Sequence, residues 1–536
     1  MVQQQTTPRM EPLQAPNSGT MTGPNNRRAR TRVADAAPLL VPLDAESREP
    51  LHRQIYEGVR DGILAGRFAA NMRLPSTRVL AAELGVARNT VVLAFDQLVA
   101  EGYLSAHRGG GTRVRAAVPD SLISVHAPRR ASRAVRESAA PASGHVRSHL
   151  PARFAELLAR TPQLGVRRDG AIVPFALGMP AIDAFPFELW ARISARRWRS
   201  GNVFLGSAAT AGDEALRNAI AHYVTSSRGA RCSPEQVFIV SGAQQALDLA
   251  SRVLLEPGAS AWMENPGYAG ARAALAGAGA RVIDVPVDEE GMDVRAGERA
   301  APEARLAYVT PSHQFPLGTI MSASRRLSLL NWARRVNGWV LEDDYDSEFR
   351  YAGRPIPCLQ GLDAQRGGAA RVLYIGTFSK TLAPALRLGY LIVPDGLVDV
   401  VRVARAIAGG HSPTHEQGVL AEFIGEGHYV RHVRRVRALC AERQQALLEA
   451  AREEIGDAMQ LAPDAAGLHM VGWLAPGAND LEVAKAASRA GVDATPLSAY
   501  CSVAPKRGAL LLGYAAFEES EIREAVRKLS GALASR

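Results

Sequence analysis

The sequence predicts two domains of different class: a small, mostly α winged helix-turn-helix in front, and a large α/β domain with a mainly parallel central sheet behind. Three observations carry this prediction. At 536 residues the chain exceeds what one hydrophobic core usually supports. Residues 44–116 hold dense helical periodicity and close on a glycine-rich turn. From residue 171 onward, short apolar runs alternate with amphipathic stretches, as strands joined by crossover helices do.

In the front domain, Pro50 suits a first helical turn, and Leu51, Ile55, Val59 and Ile63 follow at helical spacing until Gly66. Pro75-Ser76 opens a second helix. Ser76 is its expected cap, and Val79, Leu80 and Leu84 are its expected buried face. After the Gly85 turn a third helix runs over 88–101, with Val91, Phe95 and Leu98 inward, and stops at Gly102. Strands over 103–106 and 112–114 then flank Arg108-Gly109-Gly110-Gly111, a wing. The third helix shows Arg88, Asn89 and Thr90 at its first turn, the end that enters the major groove in helix-turn-helix proteins. Arg and Asn make bidentate contacts to base edges, and Thr and backbone amides suit phosphates. Arg73, Ser76, Arg78 and Arg108 complete the expected DNA-binding set.

Charge supports this assignment. The net charge of +10 lies wholly in the first 170 residues. Residues 1–43 carry 5 basic and 2 acidic side chains, 44–115 carry 10 and 8, and 116–170 carry 9 and 4, while the remainder has 39 of each sign. A basic front on a neutral body predicts that only the front meets a polyanion. The expected division is a disordered basic tail (1–43), the winged helix-turn-helix (44–116), a flexible linker with one short helix near 154–160 (117–170), and the large domain (171–536).

No stretch has the roughly 20 apolar residues of a membrane span, and the polar, Pro-rich start lacks a secretory apolar run. Cys232, Cys358, Cys440 and Cys501 are scattered with no CxxC pair, so neither a disulfide framework nor a zinc site is expected. A cytoplasmic protein with no metal and no membrane partner is predicted.

In the large domain, strands are expected over 236–240, 259–263, 305–309, 339–341, 372–375 and 388–393. Only four lysines exist. Lys485 and Lys528 sit in amphipathic helical stretches and Lys506 in a polar loop. Lys380 alone follows an apolar strand, in Thr377-Phe378-Ser379-Lys380-Thr381-Leu382. Strand ends are where ligands bind in α/β sheets. Arg387 lies seven residues on and suits a bidentate phosphate contact, with Thr377 and Ser379 as hydroxyl donors. Gly242, Ala243 and Gln244 open a helix after the first strand, where backbone N–H groups cradle phosphate. In Glu342-Asp343-Asp344-Tyr345-Asp346, four carboxylates in five residues suggest a metal site; the better reading pairs Asp343 with a ring nitrogen and Tyr345 with a ring oxygen, two apart and so on one side. Tyr268 is a candidate for stacking on a ring. An amine, a carboxylate, a hydroxyl, an aromatic and phosphate donors together are the partner set of pyridoxal 5'-phosphate, with Lys380 as the Schiff-base lysine.

These motifs resemble known families. Leu74-Pro75-Ser76-Thr77-Arg78, Arg88-Asn89-Thr90-Val91, Glu101-Gly102-Tyr103-Leu104 and the wing resemble the GntR family of regulators. The large domain resembles fold-type I aminotransferases. With Pro311-Ser312-His313-Gln314-Phe315-Pro316-Leu317-Gly318, 342–349 and 376–389, the whole chain resembles the MocR subgroup of GntR regulators. The resemblance implies a pyridoxal-phosphate-binding effector domain, a head-to-tail homodimer and operator DNA as partner. It also shows departures. Aminotransferases often place Asn immediately before a Pro-x-Gly turn, where Gln314 and Phe315 precede Pro316 here. Members responsive to γ-aminobutyrate carry Arg two residues after the stacking Tyr, where Gly270 stands. The carboxylate-binding Arg near the C-terminus has no counterpart in 509–514, with Arg507 a possible stand-in. The expectation is a regulator whose signal is pyridoxal phosphate or its adduct with an amine or amino acid, acting on vitamin B6 or amine-metabolism genes, with residual transamination left open. Two other readings stand beside it: a working aminotransferase with an accessory DNA-binding domain, and a DNA-binding protein whose large domain is a vestigial dimer module.

Overall fold

The computed structural model describes residues 43–44, 47, 49–107, 111–115, 154, 157, 172–201, 208–351, 353 and 356–534. The expected tail, most of the linker and most of its short helix lie outside the described residues, as does Arg108. The chain forms two compact units, divided at Met1–Ala140 and Pro141–Arg536.

In the first unit, helices α1 (Leu51–Leu64), α2 (Thr77–Leu84) and α3 (Arg88–Ala100) precede an antiparallel hairpin of β1 (Leu104–His107) and β2 (Gly111–Val114). Ser76 caps α2 by accepting a hydrogen bond from the Val79 N–H at 3.3 Å, and Gly85 ends it at φ 67°, a conformation open to glycine. Ile55, Val59, Leu80, Val91, Phe95 and Leu98 form the core. Val79 corrects the expectation. It is 49% exposed, because in so short a helix Leu80 and Ala81 fill the inward face, and Leu84 is only partly buried. The wing also gains a third extended segment: the Leu74 N–H donates to the Thr112 carbonyl and the Val114 N–H to the Met72 carbonyl, at 2.9 and 3.0 Å.

The second unit is built on an eight-stranded sheet in the order β3-β10-β9-β8-β7-β4-β5-β6. The strands are β3 (Val237–Val240), β4 (Ser260–Asn265), β5 (Arg281–Asp288), β6 (Gly291–Met292), β7 (Leu306–Val309), β8 (Trp339–Asp344), β9 (Val372–Thr377) and β10 (Gly389–Ile392). β4, β5, β7, β8 and β9 are mutually parallel. β10 runs antiparallel to both its neighbours and β6 antiparallel to β5. β3, β7 and β9 are buried along their whole length, as strands covered on both faces must be. The expected strand at 339–341 extends through Asp344, which carries the acidic run onto the sheet. The long helix His428–Glu454 leads to a four-stranded antiparallel sheet, β11-β12-β14-β13 (Met459–Leu461, His469–Leu474, Ala509–Gly513, Thr495–Pro496), which the sequence pattern did not predict.

The core of the first unit is small, so it has little to replace a lost anchor. Leu98→Ala is expected to cost about 2–4 kcal/mol there. Amide exchange should speed up across α1 and α3 while the eight-stranded sheet keeps its protection; unchanged exchange in α1 would contradict the assigned packing.

Candidate functional site

The parallel strands all end on one edge, and the predicted residues leave those ends. Gly242 to Gln244 follow β3, Tyr268 follows β4, Asp343 and Tyr345 end or follow β8, and Thr377 to Lys380 follow β9. Arg387 lies two residues before antiparallel β10 and so arrives at the same edge. There a cavity of about 240 Å³ is lined by Ala243, Gln244, Tyr268, Asp343, Tyr345, Thr377, Ser379, Lys380 and Arg387. Nine of the ten predicted residues thus meet in one place. The tenth, Gly242, is the N-cap of the helix Ala243–Leu254 at φ 90°, and a Cβ there would meet the Arg387 guanidinium at 3.3 Å.

Of the cavity's three charged side chains, Asp343 is buried, Lys380 half-buried and Arg387 exposed. The Lys380 ammonium donates to the Gly178 carbonyl at 2.7 Å, and burial lowers its pKa against the opposing pull of Asp346 and Asp343. A lowered pKa raises the share of neutral, nucleophilic amine. Burial pushes the Asp343 carboxyl up to about 7, although the Tyr308 hydroxyl donates to its Oδ2 at 2.9 Å. The other oxygen, Oδ1, is buried with no hydrogen-bond partner. Arg387, in the left-handed region at φ 51°, donates to the Ser241 carbonyl. Thr377 Oγ1 accepts from the Ser379 N–H at 3.2 Å, which leaves both hydroxyl protons to be donated elsewhere.

The acidic run is divided by the alternation of the strand. Glu342 accepts from the N–H groups of Leu359 and Gln360, Asp343 faces the cavity, and Asp344 pairs with Arg228 at 2.8 Å. Asp346 bonds His313 Nδ1 at 2.8 Å, and Asp464 bonds Nε2 at 3.2 Å. Burial opposes a charge on His313, yet these two carboxylates hold it up to about 10. Its Nδ1 also lies 3.2 Å from the Tyr345 hydroxyl.

In the first unit, Arg73, Ser76, Arg78, Arg88 and Asn89 are exposed and Thr90 is half-buried. The N-cap of α3 is Ala87, whose side chain caps nothing, so first-turn N–H groups point outward beside Arg88 and Asn89. Ser76 spends one lone pair of its oxygen on the α2 cap and keeps its hydroxyl proton for a ligand. Arg113, which the sequence reading passed over, is exposed on the wing and bridges to Arg73.

Comparison with known proteins agrees with both units. Residues 51–114 match the model of the gntR family of bacterial regulatory proteins, and residues 183–529 match aminotransferase class I and II. The probable rhizopine catabolism regulatory protein MocR of Rhizobium meliloti is 39% identical over 91% of this chain and 95% of its own. The pyridoxine biosynthesis transcriptional regulator PdxR of Corynebacterium glutamicum is 31% identical over 92% and 98%. The crystal structure of the α-aminoadipate aminotransferase LysN of Thermus thermophilus, complexed with N-(5'-phosphopyridoxyl)-L-leucine, superimposes with a TM-score of 0.66 at 30% identity, over 73% of this chain and 98% of that one.

The chain belongs to the MocR type of GntR-family transcription regulators. Its large unit has the fold-type I aminotransferase architecture, and its front unit is the family's operator-binding domain. No helix among the described residues is long and apolar enough to cross a membrane.

In this MocR-type chain the structure accounts for each departure noted in the sequence and adds cavity residues the sequence did not reveal. Arg507 is no carboxylate clamp: its guanidinium donates to the Leu474 carbonyl and to Gln460, and it does not line the cavity. Gln314 is consumed inside its own loop, donating to the carbonyls of Pro266 and Phe315, while Phe315 faces the cavity. A Cβ at Gly270 would come within 2.5 Å of Gln244 Oε1 and the Tyr268 ring, so a side chain there requires both to shift. Gly178, Tyr308, Leu468 and His469 also line the cavity. They come from distant segments, and only their packing reveals them.

The raised Asp343 carboxyl makes a signed prediction. Folded protein holds the proton up to about pH 7, while unfolded chain loses it near the ordinary value of 3.8. The resulting stability is full at low pH and lost as pH rises through 7. Asp343→Asn should therefore unfold with up to about 4 kcal/mol more stability than wild type at pH 8, and equal it near pH 4. A gain independent of pH, measured by denaturant titration, would refute the buried charge.

Proposed function

We propose that this regulator binds pyridoxal phosphate in the cavity and that the bound group, alone or joined to an amine, sets the affinity of the front domains for operator DNA. The observation that carries the reading is the meeting of Lys380, Asp343 and Arg387 at one sheet edge.

The residues present fit the group. Asp343 Oδ1 is a buried acceptor with nothing to accept from, and a ring N–H is the missing donor. Gly178 and Gly242 keep room where a Cβ would press on Lys380 Nζ at 2.7 Å and on Arg387 at 3.3 Å. Bound pyridoxal phosphate supplies an aldehyde that bonds amines and a ring that draws electrons from them. Lys380 would supply the amine, which burial shifts towards its neutral form. Asp343 would hold the ring nitrogen's proton in place. The Tyr345 hydroxyl would meet the ring oxygen, Tyr268 would cover the ring, and Arg387, Ser379, Thr377 and the N–H groups of Ala243 and Gln244 would hold the phosphate. No cationic side chain other than Lys380 and Arg387 lines the cavity among the described residues. This favours an amine, or the cofactor itself, over an amino acid gripped by its carboxylate. The role of PdxR in regulating pyridoxine biosynthesis supports vitamin B6 genes as targets, and the probable role of MocR in rhizopine catabolism supports catabolic ones.

Two copies pair head-to-tail in this proposal. The helix Val398–Ile407 supports a paired form, for it shows Val400, Val403 and Ile407 to solvent at 51, 61 and 79% exposure along one face. Ligand that binds one arrangement of the pair better than another shifts the spacing of the two front domains. Arg88 and Asn89 would read bases, and Arg73, Arg78, Thr90 and Arg108 would hold the backbone.

Two substitutions test this. Lys380→Ala should abolish the visible absorbance band of protein mixed with pyridoxal phosphate while the far-ultraviolet spectrum stays unchanged; a retained band overturns the assignment. Arg88→Ala should weaken operator binding by about 1–3 kcal/mol and relax base preference at one position. An unaltered preference in a site-selection assay would move recognition elsewhere.

A further inference from the structure

Four arginines are fully buried among the described residues. Three are compensated. Arg228 pairs with Asp344, Arg326 donates to the carbonyls of Met321, Pro311 and Pro357, and Arg443 pairs with Asp183 and donates to the Ala515 carbonyl. The fourth, Arg405, is 1% exposed on the inward side of the helix Val398–Ile407 and pairs with no carboxylate among the described residues. Its one hydrogen bond runs from Nη2 to the Ser412 hydroxyl at 3.1 Å, and its Nε has no partner. A guanidinium withdrawn from water with no anion beside it is costly. Burial lowers its pKa, with nothing raising it.

Its surroundings lead to the cofactor cradle. The Ser412 hydroxyl lies 3.2 Å from that of Ser241. Ser241 in turn accepts from Arg387 at its carbonyl and donates its N–H to Gln245, at the mouth of the helix whose N-cap is Gly242. Arg405 therefore stands behind the cradle, joined to it through two hydroxyls and shielded from solvent. Charges in such a setting act over more than contact distance, because little water screens them.

We propose that Arg405 is the buried counter-charge of the ligand's phosphate, a positioning residue that makes the site select phosphorylated pyridoxal over its dephosphorylated form. The proposal rests on the cofactor reading above. The phosphate supplies the anion that the folded chain withholds, and Arg405 holds Ser412 and Ser241 in place beneath Arg387.

The test is equilibrium dialysis of the full-length chain against pyridoxal phosphate and against pyridoxal, with thermal midpoints recorded for ligand-free protein. Arg405→Met should bind pyridoxal phosphate roughly tenfold more weakly. Its affinity for pyridoxal should stay within about twofold, and its ligand-free midpoint should equal or exceed that of wild type. Arg405→Lys, which keeps the charge, should recover most of the phosphate preference. Unchanged affinity for pyridoxal phosphate in Arg405→Met overturns the proposal. Equal losses for both ligands with a lowered midpoint also overturn it, since that pattern marks a structural arginine. Should the Met variant fail to fold, Arg405→Gln is read by the same ratio of affinities. Wild type that binds neither compound instead removes the cofactor reading on which the proposal stands.

Discussion

Everything in the large unit turns on keeping an amine and a carboxylate out of water without letting them neutralise each other. Lys380 donates a hydrogen bond to the Gly178 carbonyl, and Asp343 accepts one from the Tyr308 hydroxyl, so each is held by a neutral partner. The same desolvation moves the two groups in opposite directions, the amine towards its neutral form and the carboxyl towards its protonated one. A cavity so prepared has an unmet donor and acceptor balance that a ring nitrogen and an aldehyde satisfy together.

The sheet makes this possible. Parallel strands end on the same side, so residues far apart in sequence arrive at one edge with no further instruction. Period-two alternation then sorts a dense acidic run into separate tasks. Glu342 holds the start of the helix Leu359–Gln365, Asp343 enters the cavity, and Asp344 neutralises Arg228. What looks like a metal cluster in one dimension is dispersed in three. His313, clasped by Asp346 and Asp464, ties the segment after β8 to the chain before β12 beside Tyr345.

How much was legible follows from where each signal resides. Lys380 could be found because lysine is rare in this chain and only one follows an apolar strand. Asp343 and Tyr345 could be paired because strand geometry fixes their side. The helices of the front domain were readable from periodicity and caps, except that Val79 lost its place to Ala81, which periodicity weighs less than valine. Gly178, Tyr308, Leu468 and His469 had no local signature, since each joins the cavity through long-range packing. Arg507 misled because proximity in sequence to β14 says nothing of direction, and its guanidinium turns to the Leu474 carbonyl. Arg405 reads as one more arginine on an amphipathic helix until its burial and missing partner are seen.

The central claim is a coupling between cofactor and operator, and coupling is reciprocal. Its most direct measurement is calorimetric titration of the full-length protein with its upstream duplex at one fixed salt concentration, with and without saturating pyridoxal phosphate. The account predicts two different operator affinities, and the same ratio between the affinities for pyridoxal phosphate with and without duplex. Identical operator affinity in both titrations, by a protein that demonstrably carries the cofactor, would contradict it.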